Sequence, residues 1–242
     1  MDCRVHCVAG QESECRGAMD GESGDSPTFS LSRARLRLFQ QAASVNKIVL
    51  ATGNAGKIRE IADIFSALDI QIVAQSELGI ESPEETGDTF VDNALLKARH
   101  AADQSKLPAM ADDSGISVDA LDGRPGVRSA RYAGEDATDE ENLDLLVEEL
   151  ADVDDADRGA GFHCAAVLAW PGDEFEPLIV EGIWRGVILR ERRGTGGFGY
   201  DPVFLDPEKQ KTGAEMTRDE KNVVSHRGKA FRKLRDRVSQ LS

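Results

Sequence analysis

Four stretches of this chain carry residue types that could do chemistry. The first is Thr52-Gly53-Asn54-Ala55-Gly56-Lys57. Its two glycines let the backbone come close to a ligand, and a helix starting there offers unpaired N–H groups to an anion. Lys57 adds a mobile positive charge at the same end, so a triphosphate suits the arrangement. A strand–helix turn with no ligand would use the same glycines. The spacing is not that of a Walker A loop, which needs four residues between its glycines and a Ser or Thr after the lysine. Ile58 stands in that place, which excludes a P-loop GTPase.

The second is a set of carboxylates, Glu84-Glu85 and Asp112-Asp113. Hard oxygen ligands suit Mg²⁺, which takes one or two carboxylates and completes its shell with waters and substrate phosphates. Acidic pairs on an acidic protein are also common as solvated surface. Asp112-Asp113 follows the apolar Pro108–Ala111 and precedes Ser114-Gly115. That predicts the carboxyl end of a strand entering a turn, where α/β sheets put their sites. The third is Gly194 to Pro202, with four glycines in the six positions from 194 to 199. It predicts a tight loop on which a flat ligand can lie, with Phe198 and Tyr200 placed to stack on a base. The same aromatics could instead anchor the loop to a core. The fourth is Lys221, Ser225, His226 and Arg227. Lys, His and Arg together donate hydrogen bonds well and accept poorly, which favours the keto oxygens of a purine over an exocyclic amine. A basic helix face balancing the acidic surface is the alternative. His100 and His163, each alone, read as structural.

The elements that must position these residues follow an α/β pattern. Lys47 to Ala51 is a short apolar run and reads as a buried strand. A helix should follow, with Ile58, Ile61, Ala62, Phe65 and Leu68 near the 3.6-residue period. Ile70 to Ala74 reads as a second strand. Thr89 is placed to cap a helix running to about Gln104, its apolar face formed by Phe90, Ala94, Leu95, Ala98 and Ala102. Another helix fits Asp139 to Leu150, and strands fit Phe162 to Trp170 and Pro177 to Leu189. Thr217-Arg218-Asp219-Glu220 matches a capping box opening a short helix. Phe231, Leu234, Val238 and Leu241 predict a final amphipathic helix. The alternation predicts a central mixed sheet flanked by helices.

Composition narrows the function classes. Of 242 residues, 44 are Asp or Glu and 29 are Lys or Arg, a formal charge of −15. That argues against a general nucleic-acid binder, which needs a basic footprint. A local basic pocket remains possible, and residues 218–237 hold eight Lys/Arg against three acids. No uncharged apolar stretch approaches the ~18 residues that span a bilayer, so no membrane partner is expected. Residues 1–46 lack apolar periodicity and are expected to be a disordered extension of a domain over 47–242. They hold no secretory apolar segment, and Arg33 to Phe39 is at most a weak amphipathic turn. Cys3, Cys7, Cys15 and Cys164 are not spaced as a disulfide framework, so a reducing cytoplasm is expected. Cys3, His6, Cys7 and Cys15 could hold a metal or belong to an unstructured tail.

Taken together and in this order, the motifs resemble the inosine/xanthosine triphosphate pyrophosphatase family, its bacterial type above all. The resemblance covers residues 47–240. It rests on Thr52–Lys57, Glu84-Glu-Thr-Gly-Asp-Thr-Phe90, Asp92-Asn-Ala94 with Lys97, Ala111-Asp-Asp-Ser-Gly115, and Pro125-Gly126 with Ser129-Ala-Arg-Tyr132. Phe198-Gly-Tyr-Asp-Pro202 and Ser225-His-Arg227 complete it. Asp92 stands where the pattern usually has Glu. The resemblance implies an elongated α/β protein with a strongly twisted mixed sheet, a cleft between two lobes, and a homodimer. It implies hydrolysis of dITP, ITP and XTP to the monophosphate and pyrophosphate with Mg²⁺. By the same resemblance, Thr52, Gly53, Asn54, Ala55, Gly56 and Lys57 would cradle the phosphates. Glu84 or Glu85 would hold the metal with Asp113, Asp113 would activate the water, and Lys57, Lys97 and Asp112 would complete the catalytic set. Lys97 and Ser114 would contact phosphate or position the nucleophile. Phe198, Gly199, Tyr200 and Asp201 would enclose the base, and Lys221, His226 and Arg227 would read its oxygens. A septum-formation-inhibitor type of pyrophosphatase lacks the Phe198 and Ser225 motifs, and a non-catalytic nucleotide sensor has no need of a carboxylate base.

Overall fold

The structure is a computed structural model and describes residues 46–172 and 175–240. The expectations for residues 1–45, including Cys3, His6, Cys7 and Cys15, and for Leu241 lie outside the described residues.

β1 (Lys47–Leu50) turns Ile48 and Leu50 to one face and Val49 to the other, and all three are buried. α1 (Ala55–Phe65) begins where Asn54 caps it. β2 (Gln71–Ala74) pairs parallel with β1. α2 (Phe90–Ser105) is capped by Thr89, whose hydroxyl accepts from the Asp92 N–H at 3.1 Å. β3 (Ala109–Val118), α3 (Asp139–Glu149), β4 (Gly159–Ala169) and β5 (Leu178–Ile188) follow. Two short strands, β6 (Phe204–Asp206) and β7 (Lys211–Thr212), extend the sheet and carry too few residues to give a periodic signal. α4 (Arg218–Val224) opens with the expected capping box, Thr217 and Glu220 each accepting from the other's backbone N–H. α5 (His226–Ser239) starts five residues before the expected apolar face, because Ser225 caps it.

The seven strands lie in the order β2-β1-β3-β4-β5-β6-β7, parallel from β2 to β3 and antiparallel beyond. β3, β4 and β5 are 10, 11 and 11 residues long, against four each for β1 and β2. At ~3.3 Å per residue the three long strands reach about 20 Å past the short ones. Two lobes therefore share one sheet. In the first, α1 and α5 bury Ile61, Phe65, Phe231 and Leu234 on one face, and α2 packs Ala94, Ala98, Ala101 and Ala102 on the other. In the second, α3 closes Leu143, Leu146 and Leu150 over Ile116, Phe162 and Trp184. The alanine-rich face of α2 lets that helix approach the sheet closely.

One expectation is corrected here. Asp112-Asp113-Ser114-Gly115 is not a strand end entering a turn; it lies in the middle of β3, paired throughout with His163–Ala166 of β4. Ser-Gly reads as a turn in isolation, but a continuous antiparallel partner keeps the strand extended. The departure from a plain sheet is on the other edge. β1 pairs with β3 only at Ala109 and Met110, and the 124–126 segment returns to it at Ser117 and Val118. The carboxylates sit in the gap between, just beyond the carboxyl end of parallel β1.

Candidate active site

Successive residues of a strand point to opposite faces, so Asp112 and Asp113 face different helices. Asp113 faces α2. Its Oδ1 accepts from Lys97 Nζ at 2.9 Å and its Oδ2 from Asn93 Nδ2 at 3.3 Å. Lys97 Nζ also donates to Glu85 Oε1 at 2.7 Å, and Arg131 lies 3.6 Å from the second Glu85 oxygen. Asp112 faces α1 and α5. Its Oδ2 lies 3.0 Å from Lys57 Nζ and accepts from Ser114 Oγ at 2.7 Å and Arg227 Nε at 3.3 Å. Arg227 Nη1 donates to Glu60 on α1 at 2.8 Å.

The two carboxyls are driven in opposite directions. Burial pushes the Asp113 pKa up, and Lys97 only partly opposes it. Burial would also raise Asp112, but the charges of Lys57, Arg227 and Lys97 hold it well below the usual carboxylate range. For Glu85 burial is likewise outweighed, by Lys97, and its pKa is lowered. Asp112 is thus held as a carboxylate between two cations, and Asp113 is the more readily protonated of the two.

One cleft is lined by Asn54, Lys57, Glu85, Lys97, Asp113 and Ser114 at one end. Phe162, Phe198, Gly199, Tyr200, Asp201, Lys221, His226 and Arg227 line the other. Among the residues expected at the site, Thr52, Gly53, Gly56 and Asp112 are not in the lining but flank Asn54, Lys57 and Asp113, which are. Gly56 brings the Thr52–Lys57 turn against the aromatic wall, since a Cβ there would stand 3.8 Å from Phe198. Glu84 is exposed and is not part of the lining, so of the two glutamates Glu85 is the one brought to Asp113.

Several details differ from the sequence expectation. The N–H groups of Gly56 and Lys57 are not unpaired: both donate to Asn54 Oδ1, at 2.8 and 3.1 Å. An anion at this turn would share them with, or displace, the Asn54 side chain. Lys57 is not a mobile charge but is drawn to Asp112. Tyr200 is buried and its hydroxyl donates to the Ser129 carbonyl at 2.7 Å, so it anchors its loop as well as lining the cleft. Asp201 is the loop's inner brace, accepting from the Phe198 N–H at 2.9 Å and from Lys221. His226 stacks on Phe162 with ring centroids 4.8 Å apart, and burial beside Arg227 and Lys221 lowers its pKa well below the usual value. A neutral imidazole carries one acceptor nitrogen, and His226 Nδ1 has no partner among the described residues. A neutral His226 therefore offers a ligand one donor and one acceptor nitrogen. Phe198 lies 4.7 Å below the Lys221 ammonium.

Glu60 and Asp139 were not singled out from sequence as site residues, and Asn93 and Ser129 entered only within motifs of the resemblance, with no role of their own. Ser129 Oγ accepts from the Ile116 N–H at 2.9 Å and closes the open edge of β3, where a Cβ on Gly115 would stand 2.3 Å from the Gly126 carbonyl. Asp139, the first residue of α3, accepts from the Gly199 N–H at 2.9 Å and holds the glycine-rich loop. Asn93 and Glu60 carried a usable signal, being spaced four from Lys97 and three from Lys57 on their helices. Cys164 lies buried beneath Asp112 with its thiol pushed up to about 12 by burial, so it is not an available nucleophile.

Among the described residues no group of three or more His, Cys, Asp and Glu is arranged to hold a metal. Glu85 and Asp113 nevertheless converge on one cation, the Lys97 ammonium, within 2.9 Å. Two hard carboxylates meeting at one point fit Mg²⁺, which draws its remaining ligands from water and phosphate.

Comparison with known proteins gives a consistent picture. The model of the Ham1 family matches residues 48–237. The dITP/XTP pyrophosphatase of Shigella flexneri is 57% identical over 192 residues, covering 79% of this chain and 98% of that protein. The protein of the same name from Escherichia coli strain K12 is 56% identical over the same span and coverage. The solved structure of a HAM1 protein from Coxiella burnetii matches with a TM-score of 0.75 at 47% identity, over 80% of this chain and 98% of that one.

Proposed function

This chain belongs to the Ham1 family, and we propose that it hydrolyses dITP, ITP and XTP to the nucleoside monophosphate and pyrophosphate with Mg²⁺, clearing deaminated purines from the nucleotide pool. The observation that carries this reading is the meeting of Glu85, Lys97 and Asp113 in one cleft, with the Thr52–Lys57 turn beside them and the Phe198–Asp201 wall opposite. Water is a poor nucleophile toward a polyanion, so the site must offset charge and aim the water. Glu85 and Asp113 would hold Mg²⁺, which when bound offsets phosphate charge. Lys57 and Lys97 donate to phosphate oxygens, and Lys97 is released from its two carboxylates as they turn to their other partners. Asp113 accepts the proton of the attacking water as general base.

At the far end the base lies against Phe198. Lys221 and His226 present donors to the O6 of hypoxanthine or xanthine. An adenine would turn its amine toward the Lys221 ammonium, leaving donors face to face at about 1–3 kcal/mol each. The same reading gives a cytoplasmic homodimer, with residues 47–242 as the catalytic domain, and among the described residues no helix is long and apolar enough to cross a membrane. Light scattering on the purified chain checks the dimer.

The test is a phosphate-release screen of natural and deaminated nucleotides, with inorganic pyrophosphatase added, with and without Mg²⁺. Phosphate is expected from dITP, ITP and XTP only when both Mg²⁺ and the added enzyme are present. Hydrolysis of ATP as fast as ITP would contradict the base-reading part of the account, and phosphate released without the added enzyme would contradict pyrophosphate as product.

A further inference from the structure

Asn93 takes no part in lining the cleft, yet it touches both of the segments that build it. It is fully buried one turn before Lys97 on α2, so the two side chains leave the same helix face. The pair grips Asp113 from one side, Lys97 at Oδ1 and Asn93 at Oδ2. The other half of the Asn93 amide is committed as well: Oδ1 accepts from the Gly87 N–H at 2.7 Å. That bond fixes which way the amide faces, because a flipped amide would set its NH₂ against the Gly87 N–H, donor to donor. Gly87 stands two residues after Glu85. A Cβ on Gly87 would lie 2.7 Å from Asn93 Oδ1, so the contact admits only glycine.

We propose that Asn93 is a positioning residue: a neutral clamp that sets the Asp113 carboxylate and the Glu85 loop in register with each other. The inference rests on the pyrophosphatase reading above. Lys97 alone cannot serve this purpose through a reaction cycle, because its charge is drawn to any phosphate entering the cleft. Asn93 is uncharged and lies outside the lining, so it keeps its hold on Asp113 while Lys97 moves between partners.

Two variants separate the halves of the clamp. Asn93→Asp keeps an acceptor for the Gly87 N–H but turns an oxygen toward Asp113 in place of the NH₂. Gly87→Ala leaves the amide intact and pushes the loop off it. For Asn93→Asp, kcat on dITP should fall at least about tenfold with KM within about twofold, the pattern of a misaimed reacting group. Binding of dITP in EDTA, measured by titration calorimetry, should be unchanged. A folded Asn93→Asp protein with wild-type kcat would overturn the proposal, as would loss of metal-free affinity in step with kcat, which a merely structural role would produce. Should Asn93→Asp show no cooperative melting, Gly87→Ala decides, with at least about a fivefold loss of kcat expected and an unchanged kcat overturning it. Failure of the underlying reading shows instead in the wild type, as no pyrophosphate from dITP. The clamp is then judged on metal-free crystal structures: Asp113 turned from its wild-type rotamer in either variant supports it, and Asp113 unmoved in both overturns it.

Discussion

The two faces of β3 hold the same residue type one position apart and make opposite use of it. On the α1–α5 face, Asp112 is completely enclosed and shared by Lys57, Arg227 and Ser114, with Glu60 completing the set. On the α2 face, Asp113 opens to the cleft and meets Lys97 and Asn93. On the first face one carboxylate, Asp112, is shared by two cations, and on the second one cation, Lys97, is shared by two carboxylates. Strand alternation places two neighbouring carboxyls in environments that shift them in opposite directions.

The difference can be broken most forcefully at Asp112. Asp112→Asn removes the carboxylate shared by half-buried Lys57 and buried Arg227, leaving Arg227 only Glu60, and removing one member of such a buried set costs about 3–5 kcal/mol. Denaturant unfolding should show that loss, whereas Asp113→Asn should melt close to wild type; equal stabilities would erase the distinction between the faces. A smaller effect is expected at the metal. Glu85→Gln should raise the Mg²⁺ concentration for half-maximal activity by about 10–100-fold, judged by what even supporting groups contribute at metal sites. The same change at the exposed Glu84 should do less, and the reverse ranking would reassign the ligand.

The smallest effect is in the pH dependence of stability, compared in metal-free buffer between wild type and each Asn variant. The folded pKa of Asp112 is depressed below its ordinary 3.8. Its contribution is therefore present above pH 3.8 and is lost as pH falls toward the folded value, with a limiting slope of about 1.4 kcal/mol per pH unit. The folded pKa of Asp113 is raised. Its ionisation therefore weakens the fold as pH climbs from 3.8 through the folded value. Wild type minus Asp112→Asn should slope below pH 3.8, and wild type minus Asp113→Asn above it, with opposite sign. Curves of the same sign on both sides would contradict the assigned environments.

Much of this architecture was legible in the sequence, because its signals are local. The helix caps at Thr89 and Thr217, the apolar run before Thr52 and the glycine-rich loop at 194–199 each report on a few neighbouring residues. What escaped is held by distant partners. Arg227 reads as a base-facing donor until Glu60, 167 positions earlier, is seen to occupy Nη1. Glu84 and Glu85 lie in a segment without periodicity, so nothing in the chain says which one turns inward. Ser114-Gly115 carries turn chemistry, and only the unbroken pairing with β4 shows that the strand runs on. Tyr200 could equally stack on a ligand or anchor a loop until its bond to Ser129 is visible.

Asp113 is proposed to deprotonate the attacking water. That role is tested most directly by dITP turnover in Asp113→Asn, with folding and nucleotide binding verified on the same preparation. Nucleotide should still bind, and kcat should fall by about 10²–10⁴-fold, the contribution of a lost general base. A folded, nucleotide-binding variant that turns over dITP within threefold of wild type would contradict it.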